Sequence, residues 1–472
     1  MKRATRKLRY QDVVITLLAT AAMICIQPAA MLRASAIEDG KLANQPKSEY
    51  SARRQKLLER IKDGVIVLVG AREEDFGEVG RFRQRNDLMY LSGVETPAAY
   101  LMLVPANLSA DAAAREAAFI PRRNLQQERW TGVQIGPGSD AQQAFGIQEV
   151  AGADKFNDRL RAVLNPGTGS NGSRAQPVKI YTIVPKGPGS QLTREYLFVE
   201  SLKRLAPGVE IVDLSPIIGE MRKVKSPAEI ALLQKAIDIS GEGHREAART
   251  IKPGAFEYEV QAALEYAFAR NGSERPGYPS IVGSGINSTI LHYNQNRKRI
   301  EAGDLIVVDV GAEYSYYTAD ITRTFPASGK FTPRQREVYQ LVLEAQRAAE
   351  RAFKPGQSTM GELNQAARAA MKASSVRDKA GNTLEKYFIH GLGHFIGMDV
   401  HDVGDYAKPL PVGSVITIEP GIYIPEEKLG VRIEDDYLVT ETGLVKLSAK
   451  IPSEASEIER VMSGAGAGSV RR

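Results

Sequence analysis

Five acidic and imidazole side chains in the second half of the chain have the types and spacing of a metal site. They are Asp309, Asp320, His394, Glu419 and Glu434, and they lie in four short segments bounded by turn residues. Four carboxylates and one imidazole form a hard, oxygen-rich ligand set, which suits Mn²⁺ or a similar divalent ion. Five ligands exceed the needs of one catalytic metal with an open position, and two of them could bridge. The set therefore predicts two divalent ions, most readily Mn²⁺, with an activated water between them.

The spacing of Asp309 and Asp320 fits a β-hairpin. Ten residues separate them, and these include Gly311 and the Tyr-Ser-Tyr-Tyr run at 314–317. Each strand of such a hairpin could present one carboxylate to the same side. Two Asp residues in a hairpin are more often turn formers or solvated charges. The four apolar residues at 305–308 argue against that alternative, because an unpaired buried carboxylate is costly.

Three histidines fall within twelve residues, in a protein that has five. They are His390, His394 and His401, and the first two are four residues apart. Gly391 and Gly393 argue against a regular helix, so this is not the helical two-histidine zinc motif. Each histidine taken alone would more often be structural. The glycines favour a close approach of the backbone to a ligand or metal.

The remaining acid has a basic neighbour in the sequence Val-Arg-Ile-Glu-Asp at 431–435. Alternation along a strand would place Arg432 and Glu434 on one face. One interpretation is a surface ion pair; the other is a bridging carboxylate whose orientation is fixed by the neighbouring guanidinium. Of the other histidines, His292 precedes the first acid-bearing strand. His244 lies in an Arg- and Glu-rich helical stretch, where we expect a solvated side chain.

An internal repeat explains how residues so far apart could share one site. The paired segments are 247–254 with 349–356, offset by 102 residues, and 303–311 with 413–421, offset by 110 residues. Helix, turn and strand recur in the same order, which predicts two duplicated half-domains rather than a solenoid. A pseudo-two-fold arrangement would bring one acid from each copy together, Asp309 and Glu419.

The rest of the chain predicts an α/β (α+β) protein of more than one domain. Residues 50–215 alternate apolar runs such as 64–69 and 99–104 with helical segments such as 156–164. The predicted divisions are a cleavable signal peptide at 1–36, an N-terminal α/β domain at 46–215, a domain carrying the metal residues at 216–462, and a disordered Gly- and Ala-rich tail at 463–472.

The net charge of +6 is concentrated at the N-terminus. Residues 1–36 contain six basic residues against Asp12, so the rest of the chain is near neutral at +1. A nucleic-acid partner is therefore not expected, because little basic excess remains to neutralise phosphates. The basic start, the apolar run at 13–26 and the Ala-Ser-Ala at 34–36 are typical of a signal peptide.

An uncleaved membrane anchor is the alternative to a signal peptide. The apolar run of about 14 residues is shorter than the ~20 needed to cross a bilayer, which favours cleavage. The single cysteine, Cys25, lies in this segment, so the mature chain would have neither a disulfide nor a thiolate ligand. We expect an exported protein, periplasmic or secreted, with no membrane span after cleavage.

In this order the segments resemble the creatinase and methionine aminopeptidase superfamily, and more closely its aminopeptidase P (Xaa-Pro aminopeptidase) family. The matching stretches are 290–293, 309–326, 390–402, 418–423 and 431–435. Residues 81–87, 90–93 and 128–130 are similar to the N-terminal domain of that family. The resemblance implies an N-terminal creatinase-like α/β domain followed by a C-terminal pita-bread domain with internal pseudo-two-fold duplication.

The resemblance also implies the roles of the site residues. The implied ligands of two divalent ions, usually manganese, are Asp309, Asp320, His394, Glu419 and Glu434, of which Asp320 and Glu434 would bridge. The implied active-site residues that need not ligate metal are His292, His390, His401 and Arg432. Members of this family form dimers or tetramers, so the resemblance also implies a homo-oligomer.

The implied reaction is hydrolysis of the bond between an N-terminal residue and a following proline, so the expected partners are peptides with proline in the second position. Glu419 would accept the proton of a bridging water, and His401 and His292 would stabilise the oxyanion. Two alternatives stay open. One is an Xaa-Pro dipeptidase (prolidase), whose metal residues are the same, and the other is a metal-free, non-catalytic binding protein of the same fold.

Overall fold

A computed structural model describes residues 41–76, 81–109, 115–164 and 178–464. The predicted signal peptide at 1–36, which includes Cys25, lies outside the described residues, as does most of the predicted tail at 463–472. In the described part of the chain, no helix combines the length and the apolar composition that crossing a membrane requires.

The N-terminal part is built around a six-stranded mixed sheet. A two-stranded ribbon of β1 (Lys41–Leu42) and β2 (Gln45–Pro46) precedes it. The strands of the sheet are β3 (Gly64–Val69), β4 (Tyr100–Leu103), β5 (Glu116–Ile120), β6 (Glu149–Gly152), β7 (Lys179–Thr182) and β8 (Ile211–Asp213). The order in the sheet is β6-β5-β4-β3-β7-β8, and β4 is antiparallel to both its neighbours while the other pairs are parallel. All six residues of β3 are buried because this strand is central.

Seven helices accompany this sheet among the described residues. They are α1 (Lys47–Arg60), α2 (Asn86–Ser92), α3 (Glu128–Thr131), α4 (Ser139–Phe145), α5 (Phe156–Leu164), α6 (Arg194–Leu205) and α7 (Ser215–Lys223). Helix α7 ends just before the long first helix of the C-terminal part, so it connects the two parts.

The C-terminal part combines long helices with short antiparallel sheets. The helices are α8 (Pro227–Thr250), α9 (Glu257–Arg270), α10 (Pro333–Ala352), α11 (Met360–Ala373) and α12 (Ala455–Met462). The strands are β9 (Arg275–Pro276), β10 (Ile281–Ser284), β11 (Leu305–Val310), β12 (Ala312–Tyr314), β13 (Tyr317–Thr318), β14 (Ile321–Pro326), β15 (Val415–Ile418), β16 (Gly421–Ile424), β17 (Leu429–Arg432), β18 (Asp435–Val439) and β19 (Leu444–Lys446).

The predicted duplication of this part is confirmed. Helices α8 and α10 both begin with proline, behind Ser226 and Thr332 that form capping boxes. Both end before a Lys-Pro-Gly turn, where Gly254 and Gly356 have φ of +93° and +69°. Each pair of helices is followed by an antiparallel strand pair, β11 with β14 and β15 with β18. The two halves thus place equivalent strands at the centre of a pita-bread domain.

The predicted hairpin is present, but it carries an inserted ribbon. Strand β11 pairs with β14, with Asp309 opposite Thr322, and β12 and β13 form a second short pair between them. Gly311 permits this bend, because a Cβ at that position would overlap the carbonyl oxygen of Ala319. The ribbon therefore projects away from the strands that carry the two acids.

The tip of this ribbon is anchored in the N-terminal part. Tyr316 and Tyr317 are buried in the same hydrophobic cluster as Leu88 and Leu91 of α2. The backbone N–H of Gln84 donates to the Tyr316 hydroxyl at 3.1 Å. The N-terminal part thus supports the segment that joins two of the predicted metal ligands.

Candidate metal centre and active site

All nine residues predicted for the site line one cavity of about 560 Å³. They are Asp309, Asp320, His394, Glu419, Glu434, His292, His390, His401 and Arg432. The four acids lie at or near strand ends, where the backbone turns toward the cavity. The pairing of β11 with β14 and of β15 with β18 brings these ends together, although the residues are up to 125 positions apart.

His394 is the centre of one group of potential ligands. One ligand atom each of Asp320, His394 and Glu434 lies within 4.8 Å of the others. The Nε2 atom of His394 is 3.4 Å from Asp320 Oδ2 and 3.6 Å from Glu419 Oε1. Its Nδ1–H donates to the carbonyl oxygen of Phe395 at 3.1 Å, which directs Nε2 toward the acids. This is the arrangement of a metal-ligating imidazole.

Asp309 lies on the other side of Asp320. The Tyr278 hydroxyl is 2.6 Å from Asp309 Oδ1 and 2.5 Å from Asp320 Oδ1. The other oxygen of Asp309 accepts a 2.6 Å bond from Arg432 Nη2. Asp320 therefore faces His394 through one carboxylate oxygen and shares the Tyr278 hydroxyl with Asp309 through the other. The tyrosine was not anticipated from the sequence, where it follows a glycine and precedes a proline without a repeat to mark it.

The electrostatics of the acids favour cations in this cavity. Burial raises the pKa of Glu419 to about 8 and the pKa of Glu434 well above its ordinary value, and Asp320 adds to both. Burial also raises the pKa of Asp309. At Asp320 burial is the largest single influence and acts in the same direction, but the hydrogen bond and charge of His394, the hydrogen bond from Tyr278 and the charge of Arg432 together outweigh it and lower the pKa. Buried like charges are unfavourable without a counter-charge, so this donor set fits divalent metal.

The imidazole of His394 responds to the same acids. Burial alone would lower its pKa, but the hydrogen bond and charge of Asp320, together with Glu419, raise the pKa to about 9. The proton that the acids hold on His394 occupies the place that a cation would take. The site is thus built to balance negative charge at the Nε2 atom.

Glu434 is oriented by a buried hydroxyl. Thr322 Oγ1 donates to Glu434 Oε2 at 2.7 Å and accepts a 3.2 Å bond from Arg432 Nε. The other oxygen of Glu434, Oε1, faces His394 Nε2 at 4.0 Å. Strand β17 ends at Arg432 and β18 begins after Glu434, so the expected single strand with both residues on one face is wrong. Glu434 instead reaches the site through an isolated bridge to Thr322.

A hydrogen-bonded chain leads from His390 to the acids. Arg432 Nη1 donates to the Tyr423 hydroxyl, which lies 2.9 Å from His390 Nε2. The Nδ1 atom of His390 is 2.8 Å from the carbonyl oxygen of Gly391 and can only donate to it. His390 is therefore a neutral acceptor toward Tyr423, and burial, with Arg432, lowers its pKa to about 4.

His292 and His401 are exposed to the cavity. The ring of His401 lies 4.3 Å from the ring of His394 at an angle of 65°, and burial and His394 lower the pKa of His401. Neither His292 nor His401 has a side-chain hydrogen bond within the described residues. Both rings are thus free to donate to a bound ligand.

The two glycines beside His394 differ in their surroundings. A Cβ on Gly393 would overlap the carbonyl oxygen of Thr417, whereas a Cβ on Gly391 would meet nothing within 4 Å. Gly393 therefore allows the backbone to approach strand β15, while both glycines line the cavity, so the expected close approach to a ligand or metal stays a prediction. The approach to β15 is fixed by bonds from Thr417 N to the carbonyl of His394 and from His394 N to Thr417 Oγ1.

The expectation of a solvated His244 is wrong. The side chain is 3% exposed and its Nε2–H donates to the carbonyl oxygen of Ile321 at 3.0 Å. Helix α8 packs this face on β14, although the sequence around it is rich in charged residues. Burial, with the neighbouring Arg323, lowers the pKa of His244 to about 3, so the ring is neutral.

A buried ion-pair network holds the loop that carries His401. Arg222 Nη2 is 2.7 Å from both Asp399 and Asp402, and Nη1 is 3.0 Å from Asp87 in the N-terminal part. The sequence reasoning missed this network. The acids on either side of the third histidine were a visible signal, but their partners are more than 170 residues away.

Comparison with known proteins shows two family matches. Residues 231–441 match the model of metallopeptidase family M24, and residues 50–170 match that of the aminopeptidase P N-terminal domain. The Xaa-Pro aminopeptidase of Escherichia coli (strain K12) is 33% identical over 451 residues, which cover 89% of this chain and 98% of that protein.

Two further comparisons bear on the fold and on the alternatives. The structure of Pseudomonas aeruginosa aminopeptidase PepP superposes with a TM-score of 0.77 at 32% identity, covering 89% of this chain and 98% of that one. An Xaa-Pro dipeptidase of Pyrococcus furiosus is 41% identical over 265 residues, which are 55% of this chain and 73% of that protein.

Proposed function

Because this chain belongs to metallopeptidase family M24, we propose that it is a metal-dependent Xaa-Pro aminopeptidase. It hydrolyses the peptide bond between an N-terminal residue and a following proline. The observation that carries the proposal is the cavity in which Asp320, Glu419 and Glu434 face the Nε2 atom of His394, with Asp309 and two exposed histidines in the same wall. This cavity occurs in a chain that spans 98% of an Xaa-Pro aminopeptidase.

The site suits two divalent cations, which we take to be Mn²⁺. One would be held by Asp320, His394, Glu419 and Glu434, and the other by Asp309 with Asp320 and Glu434. When bound, the ions lower the pKa of a water and polarise the substrate carbonyl. The Thr322 hydroxyl and the Arg432 guanidinium each bond one carboxylate oxygen, of Glu434 and of Asp309, and so fix the orientation in which these two acids would hold the ions.

The remaining chemistry belongs to side chains of the cavity wall. Glu419 accepts the proton of the attacking water and passes it to the leaving proline nitrogen. His401 and His292 donate hydrogen bonds to the carbonyl oxygen as negative charge develops there, an effect worth roughly 3 kcal/mol per donor. Proline offers no N–H, and the apolar wall at Ile281 and Leu291 can accept its ring without a polar partner.

The test compares two tripeptides. Purified protein with Mn²⁺ should release alanine from Ala-Pro-Ala and not from Ala-Ala-Ala, and the Glu419→Gln variant should be inactive on both. Metal content is measured on the same sample. Release from Ala-Ala-Ala but not from Ala-Pro-Ala would overturn the assignment.

Two other functions are distinguished by simple measurements. The likeness to a dipeptidase over 265 residues favours prolidase activity as the second candidate, and cleavage of Ala-Pro with no cleavage of Ala-Pro-Ala would establish it. A metal-free binding protein is disfavoured by the complete donor set. Fewer than one ion per chain, with no activity on adding Mn²⁺, would revive it.

We also propose that the enzyme is exported and acts as a dimer or tetramer. The basic N-terminus, the apolar run and the Ala-Ser-Ala at 34–36 support export. N-terminal sequencing of protein from fractionated cells should give Ile37 as the first residue; an intact Met1 in the membrane fraction would indicate an anchor. Light scattering after size exclusion should give two or four times the chain mass, and a monomer would contradict the oligomer.

A further inference from the structure

We propose that the N-terminal part has a second ligand site, which binds a phosphorylated small molecule. The site is a cavity of about 500 Å³ beside helices α5 and α6, at the end of β3 and the start of β4. None of the residues that line it also lines the metal cavity. Its volume lies in the range of pockets for drug-sized ligands, roughly 300–1,000 Å³.

Four arginines line this cavity, which we call the arginine cavity: Arg72, Arg161, Arg194 and Arg204. They come from three segments, because Arg72 follows β3, Arg161 lies on α5, and the other two lie near opposite ends of α6. Arg204 lies ten positions after Arg194 on the helix, which is about 15 Å along the axis. Among the residues that the structure describes, no Asp or Glu lines the cavity. The charges thus extend along one wall, as an elongated anion would require.

Three of these four arginines form no ion pair in the described part of the chain. Within the described residues, the side chains of Arg72 and Arg204 are exposed and form no ion pair or hydrogen bond. Arg161 is 3.8 Å from Asp158, and both are largely exposed. Arg194 is half-buried and donates to the carbonyl oxygen of Gly70 at 2.7 Å. Guanidinium groups that converge without acids are suited to phosphate, which they bind through two parallel hydrogen bonds.

The pKa of Arg194, the most buried of the four arginines, reflects the same surroundings. Burial, and then the charge of Arg72, lower the pKa of Arg194. By contrast, the nearby Arg85 has Glu195 at 3.0 Å as its partner. An anion in the cavity would remove the repulsion between Arg72 and Arg194.

Aromatic side chains also line the cavity. Tyr100 stacks on Phe156 with ring centroids 4.4 Å apart and 15° between the planes, and Phe198 lies 5.8 Å from Tyr100. Tyr100 is half-buried and lines the cavity, so part of its side chain is open to a ligand. A ligand with phosphate groups and a planar apolar part fits this combination, and a nucleoside diphosphate has that chemistry.

The test measures ADP binding to the full chain with its metals by titration calorimetry at low salt, with adenosine as the uncharged probe. We expect saturable binding of ADP that weakens with added salt, and no detectable binding of adenosine. Arg72→Gln and Arg204→Gln should each bind ADP about tenfold more weakly. Neither side chain has a partner to lose, so both variants should fold.

Arg60→Gln is the matched control, because Arg60 is an exposed arginine of the same part, at the end of α1 and outside the cavity. It should bind ADP as the wild type does, and the cleavage of Ala-Pro-Ala should be unchanged in all three variants. Absence of saturable ADP binding would overturn the proposal. So would equal binding by Arg72→Gln, Arg204→Gln and Arg60→Gln, since ADP would then be bound elsewhere, for example at the metal centre.

Discussion

Replacing Thr322 by valine should weaken metal binding while leaving the shape of the site intact. The side chain is fully buried, and its hydroxyl donates to Glu434 Oε2 at 2.7 Å. It also accepts the Nε–H of Arg432 at 3.2 Å. Valine has nearly the same shape but cannot make either bond. The carboxylate and the guanidinium therefore both lose a partner that fixes their orientation.

The size of the effect follows from these two bonds. A hydrogen bond to a charged group contributes roughly 1.5–3 kcal/mol, and each 1.4 kcal/mol is about a factor of ten in an equilibrium constant. Loss of a group that orients a metal ligand typically lowers affinity about 10–100-fold. We therefore expect Thr322→Val to bind Mn²⁺ about 10–100-fold more weakly, with activity largely restored at saturating Mn²⁺.

Thr324→Val is a matched control on the same strand. Thr324 is equally buried, but its hydroxyl donates to the carbonyl oxygen of Arg432 at 2.9 Å and accepts from the Arg432 backbone N–H at 3.1 Å. It contacts no acid of the site through these bonds. Both variants should lose thermal stability, and only Thr322→Val should shift the Mn²⁺ concentration for half-maximal cleavage of Ala-Pro-Ala.

Two results would refute this reasoning. One is the same Mn²⁺ affinity in both variants, measured by calorimetry on metal-stripped protein. The other is a loss of activity in Thr322→Val that saturating Mn²⁺ does not restore, because the hydroxyl would then act in the chemical step rather than in metal binding.

Three further predictions concern acid stability, the backbone and the ion-pair network. The pKa of His244 is about 3 in the folded protein against an ordinary 6.5. Its contribution to the free energy of unfolding is therefore complete above pH 6.5 and is smaller by about 3 kcal/mol at pH 4. In His244→Gln the urea midpoint should lose this part of its pH dependence. Gly393→Ala should lower the Tm and the bound metal, whereas Gly391→Ala should keep both. Arg222→Met should cost about 3–5 kcal/mol in urea unfolding, because it leaves Asp402 buried beside fewer cations.

Each of these predictions has a contradicting outcome. An unchanged pH profile in His244→Gln would mean that the ring is not the titrating group below neutrality. Equal melting temperatures for the two alanine variants would mean that the backbone at Gly393 can move away from strand β15 at little cost. A wild-type unfolding free energy in Arg222→Met would show that the remaining cation, Lys225 at 3.2 Å, is sufficient for Asp402.

Much of the site could be predicted because its residues are unusual in their local sequence. Asp309 follows four apolar residues, and Glu419 occupies the equivalent place in the repeated strand, so both stood out as acids where a core residue is expected. The same logic failed at His244, because its charged neighbours on α8 concealed a face that packs on β14. Local composition does not show which face of a long helix a later strand will cover.

Other residues of the site carry no local signal. Tyr278 and Thr322 are ordinary residues of a turn and a strand, and they matter because the fold places their hydroxyls 2.5–2.7 Å from carboxylate oxygens. The partners of Arg222 are equally hidden, since Asp87 and Asp402 lie far from it in the sequence on either side. Such contacts depend on how separate elements dock.

The sequence by itself determined the ligand types, the duplicated halves and the order of the elements, because these depend on residue chemistry and on patterns within a few tens of residues. Only the tertiary structure decided which carboxylate oxygens bond to Tyr278, Thr322 and Arg432, which nitrogen of His394 donates, and how the N-terminal part holds the ribbon between Asp309 and Asp320. The physical reason is the separation in sequence over which each kind of interaction acts. Composition and periodicity report local preferences, whereas hydrogen bonds of 3 Å between residues more than a hundred positions apart require the packed fold.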